Sequence, residues 1–185
     1  MAEHVCPWWL GPLLASPLRR MMEDPGKILA PYVDEGMTVL EPGPGMGFFT
    51  LEIARRVGPS GRIVAVDIQP RMLSGLERRA RRAGLAERIE CRLGKGTELG
   101  VGDLRGAVDL IVAFAVVHEL PDAGAFFRES AAALKPGGRL LFVEPAGPVG
   151  EELFTAELQA AEKAGLPVEG TPSFRRSLAA LLQKR

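Results

Sequence analysis

Residues 39–49 read VLEPGPGMGFF, and this stretch decides how the rest of the chain is interpreted. Apolar residues lead to an acid, Glu41, and glycines follow at alternate positions, Gly43, Gly45 and Gly47. Glycine lets a backbone adopt left-handed conformations and approach a ligand closely. The stretch therefore predicts a buried strand that ends in a ligand-binding loop.

Composition describes an ordinary globular protein of 185 residues, 46% hydrophobic and 25% charged, which fits one domain. Lys plus Arg equals Asp plus Glu at 23 each, so the chain has no net positive charge that would favour a nucleic-acid partner. Its two cysteines, Cys6 and Cys91, have no CxxC spacing, which argues against a disulfide framework and fits a cytoplasmic protein. No apolar run is long enough to predict a membrane span.

Short apolar runs alternate with segments of helical period. The predicted strands cover residues 38–40, 62–66, 88–93, 108–115 and 139–143, with a turn at 135–138 before the last. The predicted helices cover 48–57, 70–84, 122–134 and 151–164. Residues 167–172 and 176–182 are too close for a crossover helix and can pair only as an antiparallel hairpin. The expected α/β fold is a Rossmann-like, seven-stranded, mostly parallel sheet with an antiparallel C-terminal hairpin and helices on both faces.

The glycine spacing separates two ligand classes. The dinucleotide fingerprint GxGxxG would place its third glycine at position 48, which here is Phe48. Glu41 also stands directly before the loop, where a carboxylate would repel a pyrophosphate. The same carboxylate suits a positively charged ligand group such as an α-amino group or a sulfonium.

The sequence EPGPGMG at 41–47 resembles the (Asp/Glu)-x-Gly-x-Gly-x-Gly signature of class I S-adenosylmethionine (SAM) dependent methyltransferases. The resemblance continues through VAVD at 64–67, DLIVAFAVVHELPD at 109–122 and LKPGGRLLFVE at 134–144. The last two segments are most similar to the small-molecule branch with ubiquinone/menaquinone-type and arsenite-type enzymes. The resemblance implies an enzyme that moves a methyl group from SAM to a small molecule by in-line displacement and releases S-adenosylhomocysteine.

The resemblance also implies a cofactor site. Glu41 and the glycine loop would hold the methionine part, Asp67 the ribose hydroxyls and Ile68 one face of the adenine. The full set of expected cofactor-binding residues is Glu41, Gly43, Pro44, Gly45, Gly47, Asp67, Ile68, Gly94, Lys95 and Phe114. Family members often have Gly-Asp-Ala where this chain has Gly94-Lys95-Gly96. Lys95 cannot accept a bond from the adenine amino group, so a backbone atom or Glu98 is expected to replace it.

His118 and Glu119 are the candidate catalytic residues, because they follow the fourth predicted strand at its carboxyl end. An imidazole there could deprotonate a nucleophile near neutral pH. The alternative is that His118 caps the strand or packs under the cofactor. Glu144 ends the fifth strand and is a candidate for lining the substrate pocket. No metal is expected, since His4 and Cys6 are too few ligands for a site.

The first thirty residues are expected to form an arm, followed by a methyltransferase domain over residues 31–185. Trp8, Trp9 and Leu10 are predicted to form either a lid over the substrate pocket or a homodimer contact. No Asn-Pro-Pro-Tyr-like motif and no cysteine follow the fourth strand, which argues against nucleic-acid base methylation. Two alternatives stay open, a SAM-binding module without catalysis and an NAD(P)-dependent oxidoreductase.

Overall fold

A computed structural model describes residues 7–16, 23–95 and 98–185 of the chain. The chain divides into two compact units, Met1–Gly94 and Lys95–Arg185. The proposed N-terminal arm over residues 1–30 and the single methyltransferase domain after it stay predictions. None of the helices in the described ranges is long and apolar enough to cross a membrane.

The first unit contains three parallel strands, in the order β3-β2-β1. They are β1 (Thr38–Pro42), β2 (Arg62–Asp67) and β3 (Ile89–Leu93). In the part of this unit that the structure describes, a short three-ten helix at Trp8–Leu10 precedes four α-helices. These are α1 (Gly11–Leu14), α2 (Pro25–Leu29), α3 (Thr50–Arg56) and α4 (Pro70–Arg82).

Local sequence signals explain where these elements begin and end. Asp24 caps α2 by accepting the backbone N–H of Gly26 at 2.9 Å, with Pro25 in the first turn. Pro70 opens α4, and Gly84 follows its end with a φ of 68°. The strands β1 and β2 are almost wholly buried, as expected of parallel strands that are covered on both faces.

The second unit contains the parallel pair β4 (Val108–Phe114) and β5 (Leu134–Pro145). β7 (Ser177–Gln183) pairs antiparallel with both β5 and β6 (Val168–Gly170), so the predicted C-terminal hairpin is confirmed. The helices are α5 (Ala123–Ala133), capped by Asp122 at 2.8 Å from the N–H of Ala125, and α6 (Glu151–Lys163). Together the seven strands form the mixed, mostly parallel sheet that the sequence predicts.

The predicted turn at residues 135–138 is a bend inside β5 and not a connection before it. Pairing with β4 jumps from Val108↔Leu134 to Leu110↔Arg139, so the segment forms an irregularity inside the strand. Gly137 has a φ of 76°, so the backbone bends here, and two backbone hydrogen bonds tie the bend to the chain after β7. The N–H of Gly137 donates to the carbonyl of Lys184, and the N–H of Lys184 donates to the carbonyl of Gly138, both at 2.9 Å. The chain after β7 therefore continues the sheet where the sequence predicts only a turn.

Candidate functional site

The glycine loop after β1 adopts backbone conformations that only glycine accepts easily. Gly43, Gly45 and Gly47 have φ values of 65°, 54° and 84°. A Cβ at Gly47 would come within 2.4 Å of Leu76 on α4, so the loop is packed tightly on that helix. A Cβ at Gly45 would meet no atom within 4 Å. The loop is thus packed against α4 at Gly47 and has open space at Gly45, where a ligand could approach the backbone.

Glu41 is the next-to-last residue of β1 and is a buried acid, only 4% exposed. Its Oε2 atom is buried and has no hydrogen-bond partner. Burial raises the pKa of Glu41 to about 8, and the charge of Asp67 adds to the shift. The nearby Thr50 hydroxyl opposes this rise in the pKa of Glu41, although the hydroxyl and the carboxyl do not meet the geometry of a hydrogen bond. A buried carboxyl oxygen without a partner is costly and indicates that a donor or a cation belongs there.

Asp67 ends β2 and is tied to the backbone of the glycine loop. Its Oδ1 accepts the N–H of Gln69 at 2.8 Å, and its Oδ2 accepts the N–H of Gly45 at 3.3 Å. Burial raises the pKa of Asp67, while these N–H groups and that of Ile68 oppose the shift. Each carboxylate oxygen accepts more than one bond, so Asp67 can still bind a pair of hydroxyl groups.

Ile68 directly follows Asp67, and 43% of its surface is exposed. The N–H of Gly94 donates to the carbonyl of Asp67 at 3.0 Å, and a Cβ on Gly94 would lie 3.4 Å from Ile68. The exposed Ile68 side chain offers an apolar contact beside Gly94. Lys95 is exposed and pairs with Glu98 through an isolated antiparallel bridge.

The described part of the N-terminal arm packs on the glycine loop through Met46, which is 8% exposed. A Cβ added at Gly11 on α1, or at Gly75 on α4, would lie 2.8 Å from the Met46 side chain. Arg79 donates to the Met46 carbonyl at 2.5 Å. The glycine loop is therefore clamped between α1 and α4.

The two tryptophans of the arm are partly exposed. The guanidinium of Arg71 lies 4.3 Å from the centre of the Trp8 ring, which holds that ring by a cation–π contact. Trp9 is 62% exposed. Neither a lid nor a dimer contact follows from these contacts alone, and both stay predictions.

In the second unit, His118 and Glu144 form a hydrogen-bonded pair. Nδ1 of His118 lies 2.5 Å from Oε2 of Glu144, which is fully buried at the end of β5. Oε1 of Glu144 accepts the backbone N–H groups of Val117 at 2.8 Å and His118 at 3.3 Å. Burial raises the pKa of Glu144, and His118 and the two N–H groups oppose the shift. Glu144, predicted only as a pocket residue, thus also orients the imidazole.

The imidazole tautomer follows from this pair. An ionised Glu144 can only accept, so in the neutral imidazole the proton is assigned to Nδ1 of His118, which leaves the lone pair on Nε2. Glu119 ends the same three-ten turn, Val117–Glu119, and is partly exposed. The turn follows Ala115, a non-glycine residue with a φ of 53°. Such strain is typical of functional loops.

Phe114, the last residue of β4, is partly exposed and packs edge-on against Phe174 at 5.9 Å. Sequence reasoning missed one acid in this unit, Glu157 on α6, which is 3% exposed. A signal for it exists, because Glu157 falls on the buried stripe of α6 with Phe154 and Ala161. Burial and the charge of Glu144 raise the pKa of Glu157 to about 7, while His118 opposes the shift.

Within the described ranges, no cluster of three or more His, Cys, Asp or Glu side chains could hold a metal ion. His4 and Cys6 lie outside those residues. Cys91 is a free, half-buried thiol on β3, and burial raises its pKa to about 11.

The fold and the acids at the ends of β1 and β2 define the class I SAM-dependent methyltransferases, whose cofactor is SAM. A family model described as a methyltransferase domain matches residues 33–171. The chain belongs to this family, and the predicted class, fold and cofactor are confirmed.

Three comparisons illustrate the relationship. An arsenite methyltransferase from Aquipseudomonas alcaligenes is 34% identical over 74% of this chain and 41% of its own length. The ubiquinone/menaquinone biosynthesis C-methyltransferase UbiE from an Enterobacter species is 32% identical over 67% of this chain and 49% of its own. The crystal structure of a SAM dependent methyltransferase from Aquifex aeolicus superposes with a TM-score of 0.86 at 23% identity, covering 98% of this chain and 100% of that one. The chain spans less than half the length of these two curated relatives.

Proposed function

We propose that this chain transfers the methyl group of SAM to a small-molecule acceptor that gives up a proton in the reaction. The observation that carries the proposal is the pairing of a buried, unpartnered carboxyl oxygen on Glu41 with open space at Gly45. A phosphate-binding loop needs backbone donors without an acid beside them. An acid at this place instead favours a ligand with a cationic amino group.

The residues of the first unit fit the cofactor by their chemistry. Glu41 would accept the α-amino group of the methionine part, and the backbone from Gly43 to Gly47, including Pro44, would surround it. Asp67 would accept the two ribose hydroxyls with the lone pairs that Gly45 and Gln69 leave unused. Ile68 and Gly94 would cover one adenine face, while the cofactor roles expected of Lys95 and Phe114, in the second unit, stay predictions.

Bound SAM supplies an electrophilic methyl group on a sulfonium sulfur. The chain has to place the acceptor, exclude water and remove the acceptor's proton if it has one at working pH. Nε2 of His118 is the proposed base, because Glu144 fixes the proton on Nδ1 and stabilises the imidazolium that forms. Glu119 lies in the same turn and is the second candidate for a residue that touches the acceptor.

The small-molecule class is supported by the names of the relatives, an arsenite and a quinone-pathway methyltransferase. Of these two acceptor types, we propose one that loses a proton from carbon or oxygen, because His118 offers a base for that proton. Trivalent arsenic prefers thiolates, and Cys91, the one described cysteine, is a thiol with its pKa raised to about 11. Trp8 and Trp9, on the arm that packs against Met46, are proposed to close over the bound acceptor or to form a homodimer contact.

An acceptor screen tests the proposal directly. Purified protein is incubated with SAM and pools of phenols, quinols, amines, carboxylic acids, arsenite and basic proteins, and S-adenosylhomocysteine release is measured. The expected result is turnover with a phenol or quinol and no release with arsenite. Turnover confined to a protein or to arsenite would contradict the acceptor class. SAM binding without any turnover would favour the alternative of a non-catalytic SAM-binding module.

A matched pair of variants connects turnover to the proposed base. His118→Gln removes Nε2 as a base, whereas Arg128→Gln changes an exposed charge in the same unit. The first should lose turnover and the second should keep it. Full methyl transfer by the His118→Gln protein would show that the imidazole is not the base.

A further inference from the structure

One arginine of α4 is directed at the glycine loop instead of at solvent. The helix carries five arginines, and Arg79 is the only one of them that is not exposed. Its Nη1 atom donates to the backbone carbonyl of Met46 at 2.5 Å, across 33 positions of sequence. A hydrogen bond from a charged guanidinium is roughly twice as strong as one between neutral groups. The loop after β1 is therefore held by a strong bond to its backbone.

The same face of α4 also holds the side chains of the loop. Gly75 lies one helical turn before Arg79, so the two residues are neighbours on the helix surface. A Cβ at Gly75 would lie 2.8 Å from the Met46 side chain, which therefore fills the space beside this glycine. Leu76 occupies the space beside Gly47, since a Cβ there would come within 2.4 Å of it. The helix thus contacts the side chain and the carbonyl of Met46 and the residue that follows it.

The bond from Arg79 fixes the peptide plane between Met46 and Gly47. A peptide group is planar, so the carbonyl of Met46 and the N–H of Gly47 turn together. Gly47 has a φ of 84°, and glycine adopts positive and negative φ with similar ease, so the residue itself does not fix the plane. The N–H of Gly47 donates to the carbonyl of Pro44 at 2.9 Å. Rotation of the plane would break this bond and the bond from Arg79 at once.

The turn closed by this bond contains Gly45, where the loop has open space. The N–H of Gly45 donates to Asp67, and Asp67 also accepts the N–H of Gln69, the residue directly before α4. The loop is therefore tied to the start of α4 through Asp67 and to its last turn through Arg79. Two fixed points on one helix define how the open side of the loop is oriented.

We propose that Arg79 is a positioning residue for the cofactor, which acts by fixing the orientation of the Met46–Gly47 peptide. It holds the glycine loop in the conformation that receives the methionine part of SAM, and it leaves the ribose and adenine positions unaffected. The cofactor part of this proposal rests on the proposed function. The fixed orientation of the loop is a property of the ligand-free protein and can be tested separately.

Amide hydrogen exchange of the ligand-free protein, measured by NMR, tests the orientation of the loop. In Arg79→Gln the N–H of Gly47 should exchange about tenfold faster or more than in the wild type, because its peptide plane is no longer held. Arg78→Gln is the matched control, since it makes the same change at the neighbouring, exposed arginine of α4. Equal exchange of Gly47 in the wild type and both variants would overturn the proposal.

Calorimetric titration with two ligands tests the cofactor part. SAM has a methionine part, whereas 5′-methylthioadenosine has the same ribose and adenine without the amino acid group. Arg79→Gln should raise the Kd for SAM about tenfold and leave the Kd for methylthioadenosine unchanged, and Arg78→Gln should change neither.

Equal changes in both Kd values, or no change in either, would contradict a role of Arg79 in placing the methionine part. A purely structural role would lower the melting temperature without altering the ratio of the two Kd values. If Arg79→Gln does not fold, Arg79→Lys replaces it, with a smaller change of the same kind expected, because lysine keeps the charge but not the planar group. If the wild type binds neither ligand, the proposed function and the cofactor role of Arg79 both fail, and the exchange experiment still decides whether Arg79 orients the loop.

Discussion

The backbone N–H of Gly45 donates to Oδ2 of Asp67 at 3.3 Å, and this bond joins the loop after β1 to the end of β2. The two segments are 22 residues apart in sequence. The acid proposed to bind the ribose therefore also fixes the loop proposed to hold the methionine part. Asp67 contributes to both halves of the proposed cofactor site.

Replacing Asp67 by alanine should weaken SAM binding while the fold remains. The variant loses the proposed bonds to two hydroxyls and leaves the N–H of Gly45 without its acceptor, so we expect a Kd about 10- to 100-fold higher. Isothermal titration calorimetry with SAM measures the Kd. The control is Asp34→Ala, at an exposed position before β1. An unchanged Kd in a folded Asp67→Ala protein would remove Asp67 from the site.

Replacing Glu41 by glutamine should stabilise the ligand-free protein at alkaline pH. The folded state raises the pKa of this carboxyl from 4.5 to about 8. Its contribution to the free energy of unfolding is therefore fully present below the lower value and is lost as the pH rises through about 8. The glutamine variant has no such loss, so its melting temperature should exceed that of the wild type near pH 8.5 by about 3 °C or more and match it near pH 5.

Thermal unfolding followed by circular dichroism at several pH values measures the effect, with Glu87→Gln as the exposed control. The same Glu41→Gln protein should bind SAM more weakly, because it cannot pair with an α-amino cation. A melting temperature that differs equally at both pH values would show that burial of the charge is not the cause. Tighter SAM binding would contradict the proposed role of Glu41.

Adding a methyl group at Gly11 should disturb the glycine loop from a distance. Its Cβ would lie 2.8 Å from Met46, which is already packed against Gly75. Gly11→Ala should therefore raise the Kd for SAM several-fold, and Gly11→Ala combined with Met46→Ala should recover part of the loss. Calorimetry on the two single variants and the double variant gives the coupling free energy, expected at about 1 kcal/mol.

The matched control for Gly11 is Gly150→Ala, because a Cβ at Gly150 meets no atom within 4 Å. Additive effects of the Gly11 and Met46 changes would mean that the arm does not act on the loop through Met46.

Removing Glu144 should impair the same step as removing His118. Glu144→Gln loses the charge that stabilises the imidazolium, and we expect turnover to fall about 100-fold or more, as for loss of a general base. Because the two residues form one unit, the double variant should be little worse than either single variant. Initial rates of S-adenosylhomocysteine release, with the acceptor found in the screen, measure this. Multiplicative losses would show that the residues act independently.

The sequence predicts what depends on local residue types. The acids at the carboxyl ends of β1 and β2 and the antiparallel hairpin follow from residue type and spacing, and the structure has them where they are expected. Contacts between distant segments cannot be read from spacing. The packing of Gly11 on Met46 and the bond from His118 to Glu144 are of this kind.

Two features show why local signals fail. The segment at residues 135–138 contains Pro136, Gly137 and Gly138, which favour a turn, but pairing with the chain near Lys184 keeps it in β5. Glu157 looks like one of several charges on α6, and only its alignment with Phe154 and Ala161 distinguishes it from the exposed acids. Tertiary pairing and burial determine both outcomes.

Calorimetric titration of the purified protein with SAM and, separately, with NADH and NADPH tests the central claim most directly. The account predicts binding of one SAM per chain with a Kd in the micromolar range, about −8 kcal/mol, and no heat with either nicotinamide cofactor. Tight binding of NADH or NADPH, together with no heat of binding for SAM, would contradict the assignment of SAM as the cofactor.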